Sequence, residues 1–437
     1  MSPCFHVRTW FVLLWVGGAA LMGVPVAAQS AGGPAARPAA DTSVHPNQQP
    51  YTTDRSVAYH VLAAPAYVLH GLTRPVGWAV RYAERRFPML FEGRLPSRGA
   101  IPLANFGGPV RFMGGALLYD NQLFGSDHEA RVEGLYGSGN AFRFNGAYQW
   151  PDAFGSGTDL DLRANYFSNP DSRFFLGGNA SDRATDATSF VRRQVDATAK
   201  VEYRPPTAPL GGTLTLRYEH IDADGGSGTR GSRLTKANPP GLQTTHLLTP
   251  QLIVGLSRTN EERRPSLGTE VLLQLGYTHD LTGSQFRYGR YVAELRQYLP
   301  VLLFPDSRRL VLRARLEQVE PLFGGAAVPF YHLPGLGGQT ALRGFRHSRF
   351  QDTGSLVLNA EYRYPIWSNL DAVAFVDAGQ VFPELSAVTA ERLHWSYGGG
   401  VHLLNSSGIS FRFEVAGSTE GVRTILTVEP SFPRVPR

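Results

Sequence analysis

The sequence predicts an all-β protein, a 16-stranded antiparallel transmembrane β-barrel with a short N-terminal helical segment. Three observations predict it. From about Gly108 to the C-terminus, apolar and polar residues alternate with period two. The polar positions carry charges of both signs on strand after strand. The alternating runs are about ten residues long, the length a tilted strand needs to cross a bilayer.

At the N-terminus, His6 and Arg8 precede an apolar run from Trp10 to Val26, which Ala27 and Ala28 close. Basic, apolar and small residues in that order mark a secretory signal, so residues 1–28 are read as a signal peptide cleaved after Ala28. The rival reading, a membrane anchor helix, conflicts with the short, Gly-rich run and the lack of a basic stop behind it. Residues 29–53 are rich in Ala, Pro, Ser and Gln and read as a disordered linker. Over residues 54–91, Val57, Leu62, Val68, Leu69, Leu72, Val76, Val80 and Ala83 recur at roughly helical spacing. Asp54 suits the start of a helix there, and Pro65 and Pro75 divide or kink it. This amphipathic helical segment either plugs a lumen, lies on the membrane surface or packs against the periplasmic rim. The barrel itself is assigned to residues 100–432.

Within the barrel, successive side chains point to opposite faces. Phe411, Phe413 and Val415 lie on one face of a strand, and Ser410, Arg412 and Glu414 on the other. Leu160, Leu162 and Tyr166 oppose Asp161, Arg163 and Asn165, and Leu310, Leu312 and Leu316 oppose Arg313, Arg315 and Glu317. A soluble sandwich also alternates, but strand after strand of mixed charge suits an enclosed aqueous or loop-filled interior. The pattern yields about fifteen strands, and single-chain bacterial barrels have even numbers, so sixteen are expected. The remaining strand belongs near Ala100 or within Ser227 to Thr249. The longest irregular stretches are Ala223 to Thr249 and Pro321 to Gly354.

Composition narrows the function classes. Charged residues make up 18% of the 437, aromatics 11%, and glycines number 48. Mean hydropathy near zero excludes a helical membrane protein but not a barrel, whose lipid-facing residues alternate with polar ones. The net charge of +6 is mild, and no basic block marks a nucleic-acid partner. The single cysteine, Cys4, falls in the expected signal peptide, which leaves no disulfide or cysteine-based zinc site. No metal or other cofactor is expected. His394 and His402 share a face but sit eight residues apart, about 27 Å at strand rise. Neither a Gly-x-Ser-x-Gly elbow nor a His-Glu-x-x-His motif is present, so no catalytic residue is assigned.

One segment carries more information. Gly335-Leu336-Gly337-Gly338-Gln339-Thr340-Ala341 leads into Leu342-Arg343-Gly344-Phe345, and about thirty residues later comes Phe375-Val376-Asp377-Ala378-Gly379. Between them a strand contains Glu361-Tyr362-Arg363. Phe375, Asp377 and Gly379 are two apart and share one face, while Ala372, Ala374, Val376 and Ala378 share the other, apolar one, expected to face lipid. Asp377 therefore points inward, where a carboxylate wants a cationic partner. Arg343 offers a planar fork for it. Gly344 is expected to let the loop turn tightly and Gly379 to leave room beside the strand.

This order resembles the C-terminal barrel of the bacterial surface antigen family, which includes the BamA/TamA assembly proteins and two-partner secretion transporters. The resemblance implies that the Arg343 loop folds into the barrel and meets Asp377, and that Phe432 serves as an insertion signal. Phe432 is followed by five further residues, a departure from the family pattern. The residues ahead of the barrel leave no room for a periplasmic POTRA module, a second departure.

The resemblance implies a protein of the bacterial outer membrane that assembles outer-membrane proteins or translocates polypeptide. Its partners would be outer-membrane lipids, client polypeptides and barrel-assembly machinery. The second reading is a gated small-solute channel, with the inward loop and N-terminal helix restricting the pore.

Overall fold

Period-two alternation gives each strand one apolar and one charged face, and a sheet of such strands buries the charged faces only by curling into a ring. The computed structural model describes residue 82 and residues 97–427, apart from 107–109, 111, 124, 126, 183–184, 206–207, 262–264, 284, 302–303, 368 and 405–409. The ring comprises β1 (Arg98–Phe106), β2 (Phe112–Leu123), β3 (His128–Gly137), β4 (Ala141–Trp150), β5 (Thr158–Phe175), β6 (Ala187–Tyr203), β7 (Leu210–Gly225) and β8 (Thr244–Thr259). It continues with β9 (Gly268–Asp280), β10 (Arg287–Val301), β11 (Phe304–Pro321), β14 (Gly354–Trp367), β15 (Leu370–Phe382), β16 (His394–Leu404), β17 (Ser410–Ser418) and β18 (Gly421–Thr427). Two short strands, β12 (Gly335–Leu336) and β13 (Phe350–Gln351), pair with each other inside the β11–β14 loop.

All sixteen ring strands are antiparallel to their neighbours, and β1 meets β18 to close the sheet. The seam differs from the other pairings. β1 and β2 pair along nine positions, whereas among the described residues β1 and β18 pair only at Phe106 and Leu426. β1 is the strand the pattern left uncounted near Ala100. Its interior Pro102 lacks a backbone donor and interrupts the alternation. The other suspected stretch holds a helix instead, α1 (Gly228–Ala237), which ends at Asn238 in the left-handed conformation with Pro239 behind it.

The faces divide as the alternation requires. Leu214, Leu216, Val376, Phe411 and Phe413 are exposed on the outside, while Asp196, Glu219, Glu294, Arg313, Arg412 and Glu414 are buried inside. Strand length varies around the ring: β5 has 18 residues and β6 has 17, but β17 has nine and β18 seven. About ten residues cross a bilayer, so β5 and β6 rise beyond it. There Phe174 and Phe190 pack with Leu234 of α1 and with Phe330 of the β11–β14 loop. The sequence-derived segments 1–28 and 29–53, and all of 54–91 except Tyr82, lie outside the described residues.

Candidate functional site

The long connection between β11 and β14 is a hairpin turned into the ring. Its legs are β12 and β13, and its tip spans residues 337–349. Gly337 and Gly338 start the tip with φ of 104° and 97°, values that side-chain-bearing residues avoid. Gly338 N then donates to Phe345 O at 3.1 Å, and Phe345 N to Leu342 O at 3.1 Å, which folds the tip back on itself. Leu336, Leu342, Phe345 and Phe350 pack into one apolar cluster with Val357 of β14 and Val381 of β15. Thus Leu342 and Phe345 fasten the loop to the wall by burial while the residue beside them turns the other way.

That residue is Arg343, 2% exposed. Its Nη2 lies 2.8 Å from Asp377 Oδ1, and its Nε and backbone N both donate to Oδ2 at 3.1 Å. Its Nη1 reaches Glu361 at 2.7 Å and Glu414 at 3.2 Å. The guanidinium lies over the Phe375 ring, with Cζ 3.4 Å from the centroid, a cation–π stack. Burial lowers the Arg343 pKa, but Asp377, Glu361 and Glu414 outweigh it and hold the group above its ordinary value. The carboxylates are themselves shared. Arg363 binds Glu361 at 2.6 Å, and Arg412 binds Glu414 at 2.5 Å. Three guanidiniums therefore face three carboxylates, so no charge in the cluster is buried alone.

The sheet register builds this pocket. Asn359, Asp377, Ser396 and Ser418 are cross-strand partners in one row from β14 to β17. Asn359 Nδ2 and Ser396 Oγ both donate to Asp377, at 2.9 and 3.1 Å. The wall also holds the loop by its backbone. Arg412 Nη2 donates to Gln339 O at 3.1 Å, Arg313 Nη1 to Thr340 O at 2.7 Å, Asn359 Nδ2 to Ala341 O at 2.9 Å, and Ser418 Oγ to Gly344 O at 2.9 Å.

Gly344 departs from the expected role. Its φ lies outside the left-handed region, so the bend does not demand glycine there. Close approach does: a Cβ at Gly344 would sit 2.6 Å from Gly417 O and 2.8 Å from the Cβ atoms of Ser396 and Ser418. Gly379 is likewise pressed, with 2.6 Å from its would-be Cβ to Leu356 O and 3.4 Å to Leu336 of the loop.

The barrel as a whole has counterparts among known proteins. The Omp85 superfamily domain matches residues 122–421, most of the chain. The chain belongs to the Omp85 superfamily. Among solved structures, this Omp85 barrel is similar to BamA from Haemophilus ducreyi lacking POTRA domains 1–3, at 16% identity and a TM-score of 0.55, covering 76% of this chain and 69% of that one. It is also similar to CdiB from Escherichia coli, at 12% identity and a TM-score of 0.52, covering 77% of this chain and 61% of that one. The chain thus spans less than two thirds of the CdiB structure's length. At these identities the likeness is one of fold. No curated protein sequence matches the chain. Omp85 membership and these likenesses point to a bacterial outer-membrane barrel.

The Omp85 barrel carries a second fastening that the sequence reading missed. Arg349, also 2% exposed, binds Glu420 at 2.5 Å, Ser181 Oγ at 3.0 Å and Ser181 O at 2.8 Å. Its guanidinium lies 4.6 Å from the ring centroids of both Phe175 and Phe350. His394 stacks on Phe350 at 3.8 Å and approaches Asn179 O at 2.9 Å, while Asn179 Oδ1 accepts from Val381 N. The β5–β6 loop is thereby pinned to the inward hairpin. His402 lies elsewhere, 2.8 Å from Glu414 beside the Arg343 cluster. Phe432 falls outside the described residues.

Proposed function

We propose that this Omp85 barrel assembles outer-membrane proteins or translocates polypeptide, with the Arg343 hairpin as an internal gate. The observation that carries the reading is a hairpin tip fastened to the wall from β11 to β17, close to a seam that pairs at Phe106 and Leu426 among the described residues. A tip held by a balanced charge cluster has one well-defined seat. Such a seat steadies the strands next to the seam while β18 and β1 part. Client polypeptides and outer-membrane lipids would meet at that opening, with the cell's barrel-assembly machinery as a further partner. Phe432 is proposed as the insertion signal for the chain's own assembly.

The test uses the full chain in liposomes with an unfolded outer-membrane barrel polypeptide as client. Faster client folding than in empty liposomes is expected. A Phe106→Cys/Leu426→Cys pair, in a chain with Cys4→Ser, is expected to remove that gain when oxidised and restore it when reduced. Client folding at the rate of empty liposomes overturns the assembly reading.

A second reading, a gated small-solute channel, is favoured by an asymmetry of the lumen. The wall side chains that hold residues 339–344 lie on the C-terminal strands, where Arg296 and Arg313 are 3% and 4% exposed. On the N-terminal strands Arg163 and Arg217 are 49% and 42% exposed, and cavities of about 780 and 400 Å³ lie against the wall there. Planar-bilayer conductance before and after deletion of residues 54–91 separates the readings. A large rise favours the channel, and an unchanged small conductance counts against it.

A further inference from the structure

The cavity of about 400 Å³ lies between the inward hairpin and the wall of β4 to β7. Four arginines line it, Arg143, Arg173, Arg192 and Arg217, against one carboxylate, Asp196. Two of the four are committed. Arg173 binds Asp171 at 2.7 Å, and Arg217 binds Glu219 at 3.1 Å. The other two are not: among the described residues neither Arg143 nor Arg192 ion-pairs with a carboxylate. Arg192 donates to the neutral Gln194 Oε1 at 2.6 and 3.0 Å and lies 5.6 Å from the Tyr331 ring centroid. Arg143 lies 5.4 Å from the Phe167 ring centroid. Register sets the spacing of the two. Arg143 pairs with Phe167, and Arg192 pairs with Asn169 two residues further along the same strand. The two forks thus project from strands on either side of β5, about 10 Å apart laterally.

The rest of the lining mixes polar side chains, among them Asn145, Asn165 and Asn169, with an aromatic group, Phe174, Phe190 and Phe330. Phe330 of the hairpin meets Phe174 and Phe190 of the wall edge to face, each with centroids 4.9 Å apart. His347, also in the lining, reports the field: burial and then the guanidiniums of Arg423 and Arg192 hold its pKa below the ordinary value. The cavity thus presents two guanidiniums that ion-pair with no described carboxylate, together with a cluster of aromatic rings. Guanidinium forks match carboxylate and phosphate oxygens in pairs. The volume lies at the lower end for small-molecule sites.

We infer that this cavity binds a small organic anion, with a carboxylate or phosphate head between Arg143 and Arg192 and an apolar body against Phe174, Phe190 and Phe330. This goes beyond the proposed function, because assembly of other proteins needs no such ligand. The head belongs to a compact solute, since the space is too small for a two-chain lipid.

Isothermal titration of the full-length barrel in non-ionic detergent tests the inference. The probes are 4-bromobenzoate, inorganic phosphate and the neutral 4-bromobenzyl alcohol. The expected result is saturable 1:1 binding of 4-bromobenzoate alone. Arg192→Gln and Arg143→Gln are each expected to weaken it about tenfold or more, with heat-modifiable migration unchanged as the control for folding. Arg143 ion-pairs with no carboxylate among the described residues, so its variant keeps the test open if Arg192→Gln fails to fold. The bromine is expected beside Phe330 in anomalous difference maps. Equal binding of the alcohol, equal binding of inorganic phosphate, or undiminished binding to the folded variants each overturns the inference.

Discussion

Arg343 and Asp377, 34 residues apart in sequence, share three hydrogen bonds: two from the guanidinium and one from the Arg343 backbone N–H. The backbone bond matters because it fixes the loop's main chain as well as the side chain. Substituting the arginine alone therefore removes only part of the contact.

Arg343→Ala strips a partner from three buried carboxylates, and Asp377→Ala leaves the guanidinium with Glu361 and Glu414. Each is expected to cost about 3–5 kcal/mol, the usual loss when a buried ion pair is broken on one side. The double variant is expected to cost clearly less than the sum of the two, since the residues are in contact. Urea unfolding in liposomes, followed by tryptophan fluorescence, measures all three. Strictly additive losses would show that the two groups do not act as a unit.

Arg343→Lys keeps the charge but is expected to behave more like the alanine variant than like the parent. One ammonium cannot serve Asp377, Glu361 and Glu414 at once, nor lie flat on Phe375. Phe375→Leu isolates the stacking and is expected to cost about 0.5–2 kcal/mol. The same unfolding assay ranks them, and full recovery with lysine would contradict the role given to the planar fork.

Gly344→Ala adds one methyl group where Gly417 O, Ser396 and Ser418 leave no room. An overpacking cost of about 1–3 kcal/mol is expected, relieved by withdrawal of the hairpin tip. Trypsin then gains access to Arg343 and Arg346. A tip that stays protease-resistant in Gly344→Ala would mean that the wall yields instead.

Arg349→Ala removes charge-assisted hydrogen bonds to Glu420 and Ser181, a local loss of about 1.5–3 kcal/mol. Amide exchange is expected to quicken in the β5–β6 loop around Ser181 and to stay slow at residues 340–344, which the wall holds separately. Uniform quickening across both regions would show that the two fastenings form one cooperative unit.

Much of the wall was legible because alternation is a local property. Phe375 and Asp377 face inward, and Val376 outward, from spacing alone. The order of Arg343 and Asp377 along the chain gave their meeting through resemblance to a family. What stayed hidden needed register. Arg412 and Glu414 stood out as charged-face positions, but Ser418 did not, and nothing local says that it shares a row with Asp377. The lengths of the β15–β16 and β16–β17 connections decide that. β1 escaped because Pro102 breaks its pattern. α1 escaped because its sequence, GTRGSRLTKA, has few apolar residues to mark a helical face. The Arg349 fastening had no signal at all, since it joins residues 71 and 168 positions apart.

The carbonyls of Gln339, Thr340, Ala341 and Gly344 are each tied to a side chain of β11, β14 or β17. A short piece of chain thus bridges a whole arc of the cylinder like a chord across a curve. While those ties hold, that arc keeps one radius, and any swelling of the cross-section must come from β18 and from β1 to β10. Because the ties end on main-chain oxygens, residue identity at positions 339–341 can drift in evolution without slackening the chord.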